Sequence, residues 1–180
     1  MSIAIIIPTY KESENIQFLL KKIQNNLSNV NIFIIDDSPD KEILTQLEKF
    51  KNVKYISRGK KLGRGSAVLY GIREALRNNH NEKFIEMDAD LSHDADEIEE
   101  KITYFNDNHC DLLLSSRYMK KSKIKNWPIH RKVFSFLANK LARFLLSVPI
   151  SDYTNGYRIY SRSAAEHIVS RCGKIGDGFI

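Results

Sequence analysis

A chain of 180 residues fits one domain with a sizeable core, and its 42% hydrophobic and 28% charged residues are those of a soluble globular protein. The net charge of +6 favours an anionic partner (nucleic acid, membrane surface or phosphate-bearing substrate) without choosing among them. Cys110 and Cys172 form no Cys-x-x-Cys and have no His cluster beside them, no run approaches the ~18 apolar residues of a membrane span, and the N-terminus lacks a signal-peptide pattern, which argues against zinc, a disulfide framework and a spanning helix.

In chain order, short apolar runs predict strands at Ile3–Ile7, Asn31–Ile35, Val53–Ile56, Phe84–Met87 and Asp111–Ser115. The first, second and fifth are nearly continuous apolar runs, as in strands covered on both faces. Helical patterns lie between them at Ser13–Asn26, Lys41–Phe50, Gly65–Asn78 and Asp94–Asn108. Strands alternating with helices predict a mostly parallel sheet in an α/β layer fold. Such a fold binds ligands just past the carboxyl ends of its strands. There the sequence places Pro8-Thr9-Tyr10, Asp36-Asp37-Ser38, Asp88-Ala89-Asp90 and Ser116-Arg117-Tyr118. Neither Gly-x-Gly-x-x-Gly nor a Walker A loop follows the first strand, which disfavours an NAD enzyme or a P-loop NTPase.

Asp88-Ala89-Asp90 is the most informative of these. Two carboxylates spaced i, i+2 at the end of an extended segment point the same way. Converging hard oxygens suit Mg²⁺ or Mn²⁺, and such a cation neutralises a diphosphate leaving group. On its own Asp-x-Asp is also a common surface triplet.

The second half departs from simple alternation. Lys120, Lys121, Lys123 and Lys125 form a basic run, followed by Trp127-Pro128, and Pro128 suits the first turn of a helix. Over Ile129–Val148, Val133, Phe134, Phe136, Leu137, Leu141, Phe144, Leu145 and Val148 form a wide apolar stripe, interrupted by Arg131, Lys132, Lys140 and Arg143. Two readings stay open: a core-packing helix with solvated basic residues, or an interfacial helix on an anionic membrane. The expected location is cytoplasmic, in a reducing compartment, peripheral at the cytosolic face of a membrane.

Together these motifs resemble glycosyltransferase family 2, and within it the polyprenol- and dolichol-phosphate mannosyltransferases. Pro8-Thr9-Tyr10-Lys11-Glu12-Ser13-Glu14-Asn15 is similar to the family's opening, and Asp36-Asp37-Ser38 to its second-strand motif. Arg58 with Leu62-Gly63-Arg64-Gly65 resembles its glycine-containing turn, and Asp88-Ala89-Asp90-Leu91-Ser92-His93 its metal motif. Ser115-Ser116-Arg117-Tyr118, the Trp127, Arg131, Ser135 spacing and Asp152-x-Thr154-Asn155-Gly156-Tyr157-Arg158 match later segments. Lys11, Ser92, Asp94, Asn155 and Tyr157 depart from the usual residues. Relatives continue past the point matched by Gly178-Phe179-Ile180, which leaves three readings open: a C-terminally truncated chain, a minimal form or an incomplete one.

The resemblance implies a GT-A-type three-layer fold with helices on both faces of a mostly parallel sheet. It implies one catalytic domain over residues 1–180, with a nucleotide-sugar half to about residue 118 and an acceptor- and membrane-facing half from about 119. Pro8, Tyr10, Glu12, Asp37, Gly63, Asp88 and Ala89 would line the nucleotide-sugar. Asp88 and Asp90 would hold Mg²⁺ or Mn²⁺, with Asp90 the direct ligand. Arg117, Arg131 and Ser135 would hold the acceptor phosphate, and Asp90, Arg117 and Arg131 would carry the catalysis. Asp152 and Arg158 would shape the acceptor side. Plain alternatives stand beside these roles: a structural buried acid at Asp36, a helix-dipole charge at Glu12, turn chemistry at Gly63, surface ion pairs for the arginines, and local hydrogen bonding for His93 and His130.

The implied activity is inverting transfer of mannose from GDP-mannose to a polyprenyl or dolichyl phosphate at a membrane surface. Other donors such as UDP-glucose, a hydroxyl acceptor, or a non-catalytic nucleotide-sugar-binding subunit stay open. A nucleotidyltransferase is disfavoured by the missing glycine-rich signature, and a nucleic-acid module by the missing aromatic-basic interleaving.

Overall fold

The computed structural model describes residues 2–40, 42–118 and 129–172, with side chains throughout except at 129–133. Within them six strands form one sheet: β1 (Ser2–Thr9), β2 (Val30–Asp36), β3 (Val53–Ser57), β4 (Asn81–Glu86), β5 (Leu112–Leu114) and β6 (Arg158–Ser161). Their order is β3-β2-β1-β4-β6-β5. The first four are parallel neighbours, and β6 runs antiparallel to both β4 and β5. The helices are α1 (Ser13–Asn26), α2 (Leu44–Leu47), α3 (Arg64–Leu76), α4 (Ile98–Asp107), α5 (Ile129–Leu146) and α6 (Arg162–Cys172).

Strand alternation divides the core into two layers. Ile5 and Ile7 of β1 pack on one face with Ile32, Ile34 and Ile85, under Ile16, Leu19, Leu20 and Ile23 of α1 and Ile98 and Phe105 of α4. Ala4 and Ile6 pack on the other with Ile35 and Phe84, under Ala67, Val68, Ile72 and Ala75 of α3 and Ala165 of α6. Both faces are covered, which is why β1 and β2 read as unbroken apolar runs. Each fully buried Ile or Leu contributes about 1.5–3 kcal/mol. The apolar spacing in α1 is i, i+3, i+4, i+7, one helix face.

Helix α3 lies so close to the sheet that Gly71 has no room for a side chain. A Cβ there would sit 2.6 Å from Cγ2 of Ile6 and 3.0 Å from Cγ1 of Ile35. The far end of α3 is closed by Arg162, whose guanidinium donates to the carbonyls of Leu76, Asn78 and Asn81 at 3.1, 3.2 and 2.9 Å. The Leu76 carbonyl, in the last turn of the helix, has no partner within the helix itself, and Arg162 joins it to the turn that leads into β4.

The structure corrects several expected elements. The helix expected over Lys41–Phe50 is a single turn. The Thr45 hydroxyl bonds the Glu42 carbonyl at 3.1 Å, and the Phe50 N–H closes back on Leu47 at 2.9 Å, a tighter i−3 bond. That one turn already buries Ile43 and Leu47. The helix expected from Asp94 begins with a 3₁₀ turn, Ala95–Glu97, capped by the Asp94 side chain accepting from the Asp96 N–H. Strand β6 and helix α6 were not anticipated.

Helix α5 stands off the sheet. Its anchors are polar: the Tyr118 hydroxyl donates to Ser135 Oγ at 2.7 Å, and Asn139 accepts the Tyr153 N–H at 2.6 Å. Its large apolar side chains face outward, with Phe134 75% and Phe144 79% exposed. The core-packing reading of this helix is therefore set aside. The basic run at Lys120–Lys125 and Trp127-Pro128 lies outside the described residues.

Candidate active site

The carboxyl edges of β1, β2 and β4 bring the expected acids to one side of the sheet, each with a different employment. Asp36, at the end of β2, is buried. Its Oδ1 accepts from Thr9 Oγ1, Ser38 N–H and Ser38 Oγ at 3.0, 3.1 and 2.7 Å, and its Oδ2 from the Tyr55 hydroxyl at 2.9 Å. Burial and then this bond push the Tyr55 hydroxyl up to about 12. Asp36 is thus a structural acid. It fixes Ser38, whose Oγ accepts the Lys11 N–H at 2.8 Å and so steadies Lys11 in a left-handed conformation, φ 56°.

Asp37 is equally buried but points elsewhere. Arg58 grips it through two parallel bonds of 2.6 and 2.8 Å, and the N–H groups of Leu62 and Gly63 reach its Oδ2 at 2.8 and 3.1 Å. The pair is almost dry, with both side chains under 10% exposed. It ties the Gly63 turn, φ 95°, to β2 and thereby sets where α3 begins.

The third group surrounds Asp88. Arg64, the first residue of α3, donates from Nε to Asp88 Oδ1 at 2.7 Å, from Nη1 to Glu86 Oε1 at 2.6 Å and from Nη2 to the Gly156 carbonyl at 3.3 Å. Glu86 is buried and also accepts the Tyr160 hydroxyl at 2.7 Å, with Arg158 at 4.0 Å. Gly156 has to be glycine to admit the guanidinium, because a Cβ there would lie 2.0 Å from Arg64 Nη2. The Asp88 N–H donates to His93 Nδ1 at 2.9 Å. Burial holds the His93 imidazole below its ordinary pKa, against the pull of Asp88 and Asp90. A neutral ring accepting at Nδ1 carries its proton on Nε2, which lies 3.8 Å from Asp88 Oδ2.

Asp90 is exposed, and its Oδ1 accepts the Ser92 N–H at 2.9 Å. Glu12, at the start of α1, is half-buried. Desolvation first, then the charges of Asp90 and Asp88, push its carboxyl up to about 7, with Arg64 opposing. Tyr10 is exposed beside it, with Lys61 Nζ 4.5 Å from its ring centre. Pro8 and Ala89 are buried at the strand ends.

Among the described residues no group of three or more His, Cys, Asp or Glu side chains forms a complete metal cage. The donor set nonetheless suits a hard cation. Asp90 and Asp88 lie near enough to add to the burial that raises Glu12, and an ion taking one or two carboxylates plus water and phosphate oxygens needs no protein cage.

The residues expected at the acceptor lie at the β5 and β6 end. Arg117 is bonded by its side chain to both oxygens of Asp152, at 2.8 and 2.9 Å, and to Thr154 Oγ1 at 2.5 Å. Ser135 is buried against Tyr118. The Arg131 side chain lies outside the described residues, so the three are not seen together. Arg158 donates to the Asn155 carbonyl at 3.1 Å.

Sequence reasoning credited the Gly63 turn to its glycines and passed over Arg64 and Glu86. The signal for Glu86 was present: a charge inside the strand Phe84-Ile85-Glu86-Met87 is almost never buried without a partner.

A sheet of order 3-2-1-4-6-5 with acids on its carboxyl edge defines an α/β fold of GT-A type. The family model for glycosyl transferase family 2 matches residues 4–169, and the chain belongs to that family. It is 37% identical over 171 residues to polyprenol monophosphomannose synthase of Mycolicibacterium smegmatis, covering 91% of this chain and 63% of the relative. It is 36% identical over 175 residues to dolichol-phosphate mannosyltransferase of Pyrococcus furiosus, covering 93% of this chain and 48% of the relative. The chain thus spans about half to just under two thirds of the length of these relatives. Glucosyl-3-phosphoglycerate synthase from Mycobacterium tuberculosis, solved with Mn²⁺, UDP and glucosyl-3-phosphoglycerate, shares the fold. The TM-score is 0.64 at 14% identity, over 90% of this chain and 57% of that one.

Proposed function

We propose that this chain is catalytic-domain sequence of a metal-dependent inverting transferase that moves mannose from GDP-mannose to a polyprenyl or dolichyl phosphate. One observation carries the reading: the Asp88–Asp90 acid edge stands in a chain 37% identical to a polyprenol monophosphomannose synthase. In this reading Asp88 and Asp90 hold Mg²⁺ or Mn²⁺, with Glu12 facing them. The cation, when bound, supplies neutralisation of the leaving diphosphate. Pro8, Tyr10, Asp37, Gly63 and Ala89 line the nucleotide-sugar; Asp37 acts largely by holding the Gly63 turn through Arg58. Residues to about 118 form the nucleotide half, and those from about 119 the acceptor half.

A phosphate acceptor is already anionic near neutral pH, so no general base is required of the protein. Orientation and charge neutralisation are required, and Arg117, Arg131 and Ser135 are assigned to them. Asp152 fixes the plane of the Arg117 fork. The exposed apolar side of α5, with Lys140 and Arg143 on the same helix, supports contact with an anionic lipid surface where such an acceptor resides. No helix among the described residues is long and apolar enough to cross a membrane.

The test offers labelled GDP-mannose or UDP-glucose, with Mn²⁺ or Mg²⁺, to the protein and polyprenyl phosphate in detergent. Organic-phase label from GDP-mannose, abolished in Asp90→Ala, is the expected result. Label from UDP-glucose instead reassigns the donor. Nucleotide binding without any lipid-linked product supports a binding unit, and undiminished turnover in Asp90→Ala removes the metal assignment.

A further inference from the structure

We infer that Arg64 is a displaceable counter-ion of the acid edge: it holds Asp88 while no cation is bound, and transfers its guanidinium to the donor's diphosphate once one is. This rests on the metal-dependent reading above and adds a residue with two alternating partners.

The geometry separates Arg64 from the fixed pairs around it. Arg58 and Asp37 are 7% and 5% exposed, whereas Arg64 and Asp88 are 39% and 28% exposed. Water reaches the Arg64–Asp88 contact, so it is the one of Arg64's two ion pairs open to competition by a divalent cation, the other joining Glu86 at 2.6 Å with that carboxylate 2% exposed. Displacement costs Glu86, 2% exposed, its 2.6 Å bond to Arg64. Glu86 keeps the Tyr160 hydroxyl at 2.7 Å and Arg158 at 4.0 Å after Arg64 leaves. Asp88 keeps the cation. Arg64 follows Gly63, whose φ of 95° marks a turn, and it opens α3 beside the acids. A freed guanidinium there offers a planar fork suited to phosphate oxygens. The arrangement orders events: with Arg64 on Asp88 the site lacks a full carboxylate for metal, and metal entry is what frees the phosphate-binding group.

Two variants separate this from a structural role. Arg64→Gln removes the guanidinium. Gly156→Ala keeps it but drives it out of its seat, since the new Cβ falls 2.0 Å from Nη2; at 3.1 Å it also presses on Asp88 Oδ2, which must give by a few tenths of an ångström. Mn²⁺ affinity is measured by titration without nucleotide, and GDP affinity with saturating Mn²⁺, with circular dichroism confirming the fold. Arg64→Gln is expected to bind Mn²⁺ about two- to fivefold more tightly and GDP about tenfold more weakly. Gly156→Ala is expected to gain Mn²⁺ affinity without losing GDP affinity. Equal Mn²⁺ affinity in wild type and both variants overturns the exchange while leaving the metal reading intact. Weakening of both ligands in Arg64→Gln and in Gly156→Ala assigns Arg64 a structural role and also overturns it. Absence of Mn²⁺ binding in wild type and variants alike overturns the metal reading and the exchange with it.

Discussion

The backbone N–H and the side chain of Arg117 both close on one carboxylate, that of Asp152, at 3.1 Å from the N–H and at 2.8 and 2.9 Å from Nε and Nη2. Asp152 is buried, and the bond joins the end of β5 to the segment entering β6. Burial alone would raise its carboxyl, but the Arg117 bonds hold it below the ordinary aspartate range. Asp152→Ala should cost about 2–4 kcal/mol in urea unfolding, because it removes the buried carboxylate that takes three bonds from Arg117. The sign of the pH effect follows from the depressed pKa. The contribution is present above the ordinary aspartate value and is lost as pH falls through the lowered one, so the gap between wild type and Asp152→Asn should narrow only in acid.

Glu12 has the opposite sign. Its folded pKa, about 7, lies above the ordinary glutamate value of 4.5, so the native state holds an extra proton between those values. Its stabilising contribution is complete below about 4.5 and is lost as pH rises to about 7. In chelator-treated protein, Glu12→Gln should therefore gain melting temperature relative to wild type as pH rises through that window. A difference that stays flat with pH would show that neither burial nor the neighbouring Asp90 and Asp88 raise the Glu12 carboxyl.

Gly71→Ala tests the closeness of α3 to β1. Helix propensity favours Ala by about 1 kcal/mol, but the added methyl meets Ile6 and Ile35, both fully buried and unable to retreat. Overpacking of that kind costs about 1–3 kcal/mol, so the variant should be destabilised overall, measured by chemical denaturation. A stabilised variant would mean that α3 sits further from the sheet.

The exposed side of α5 predicts a lipid phenotype separable from folding. Leu141 and Phe144 are 59% and 79% exposed, so Leu141→Glu with Phe144→Glu should leave thermal stability within about 0.5 kcal/mol. The same pair should lose most co-sedimentation with anionic vesicles. Retained vesicle binding would remove α5 from the membrane contact.

Much of the fold was legible because it rests on local periodicity. The apolar positions of α1 repeat at helical spacing, and the Ile run of β1 can be satisfied only between two covered faces. Strand β6 escaped because Arg158-Ile159-Tyr160-Ser161 is short and carries only two buried apolar side chains. Helix α6 did carry a signal, in Ala164, Ala165, Ile168 and Val169. The Lys41–Phe50 segment misled because its apolar spacing suits a helix while Thr45 and the Leu47–Phe50 closure favour a turn.

By itself the sequence determined which residue types stand at the strand ends, since alternation and strand length follow from neighbours along the chain. Only the tertiary structure decided what each charge does. Asp36 and Asp37 are adjacent yet serve Tyr55 and Arg58, and Asp88 and Asp152 are claimed by Arg64 and Arg117 across 24 and 35 residues. A buried carboxylate takes whichever donor the packing brings within about 3 Å, and that choice is made by the arrangement of strands and helices in space.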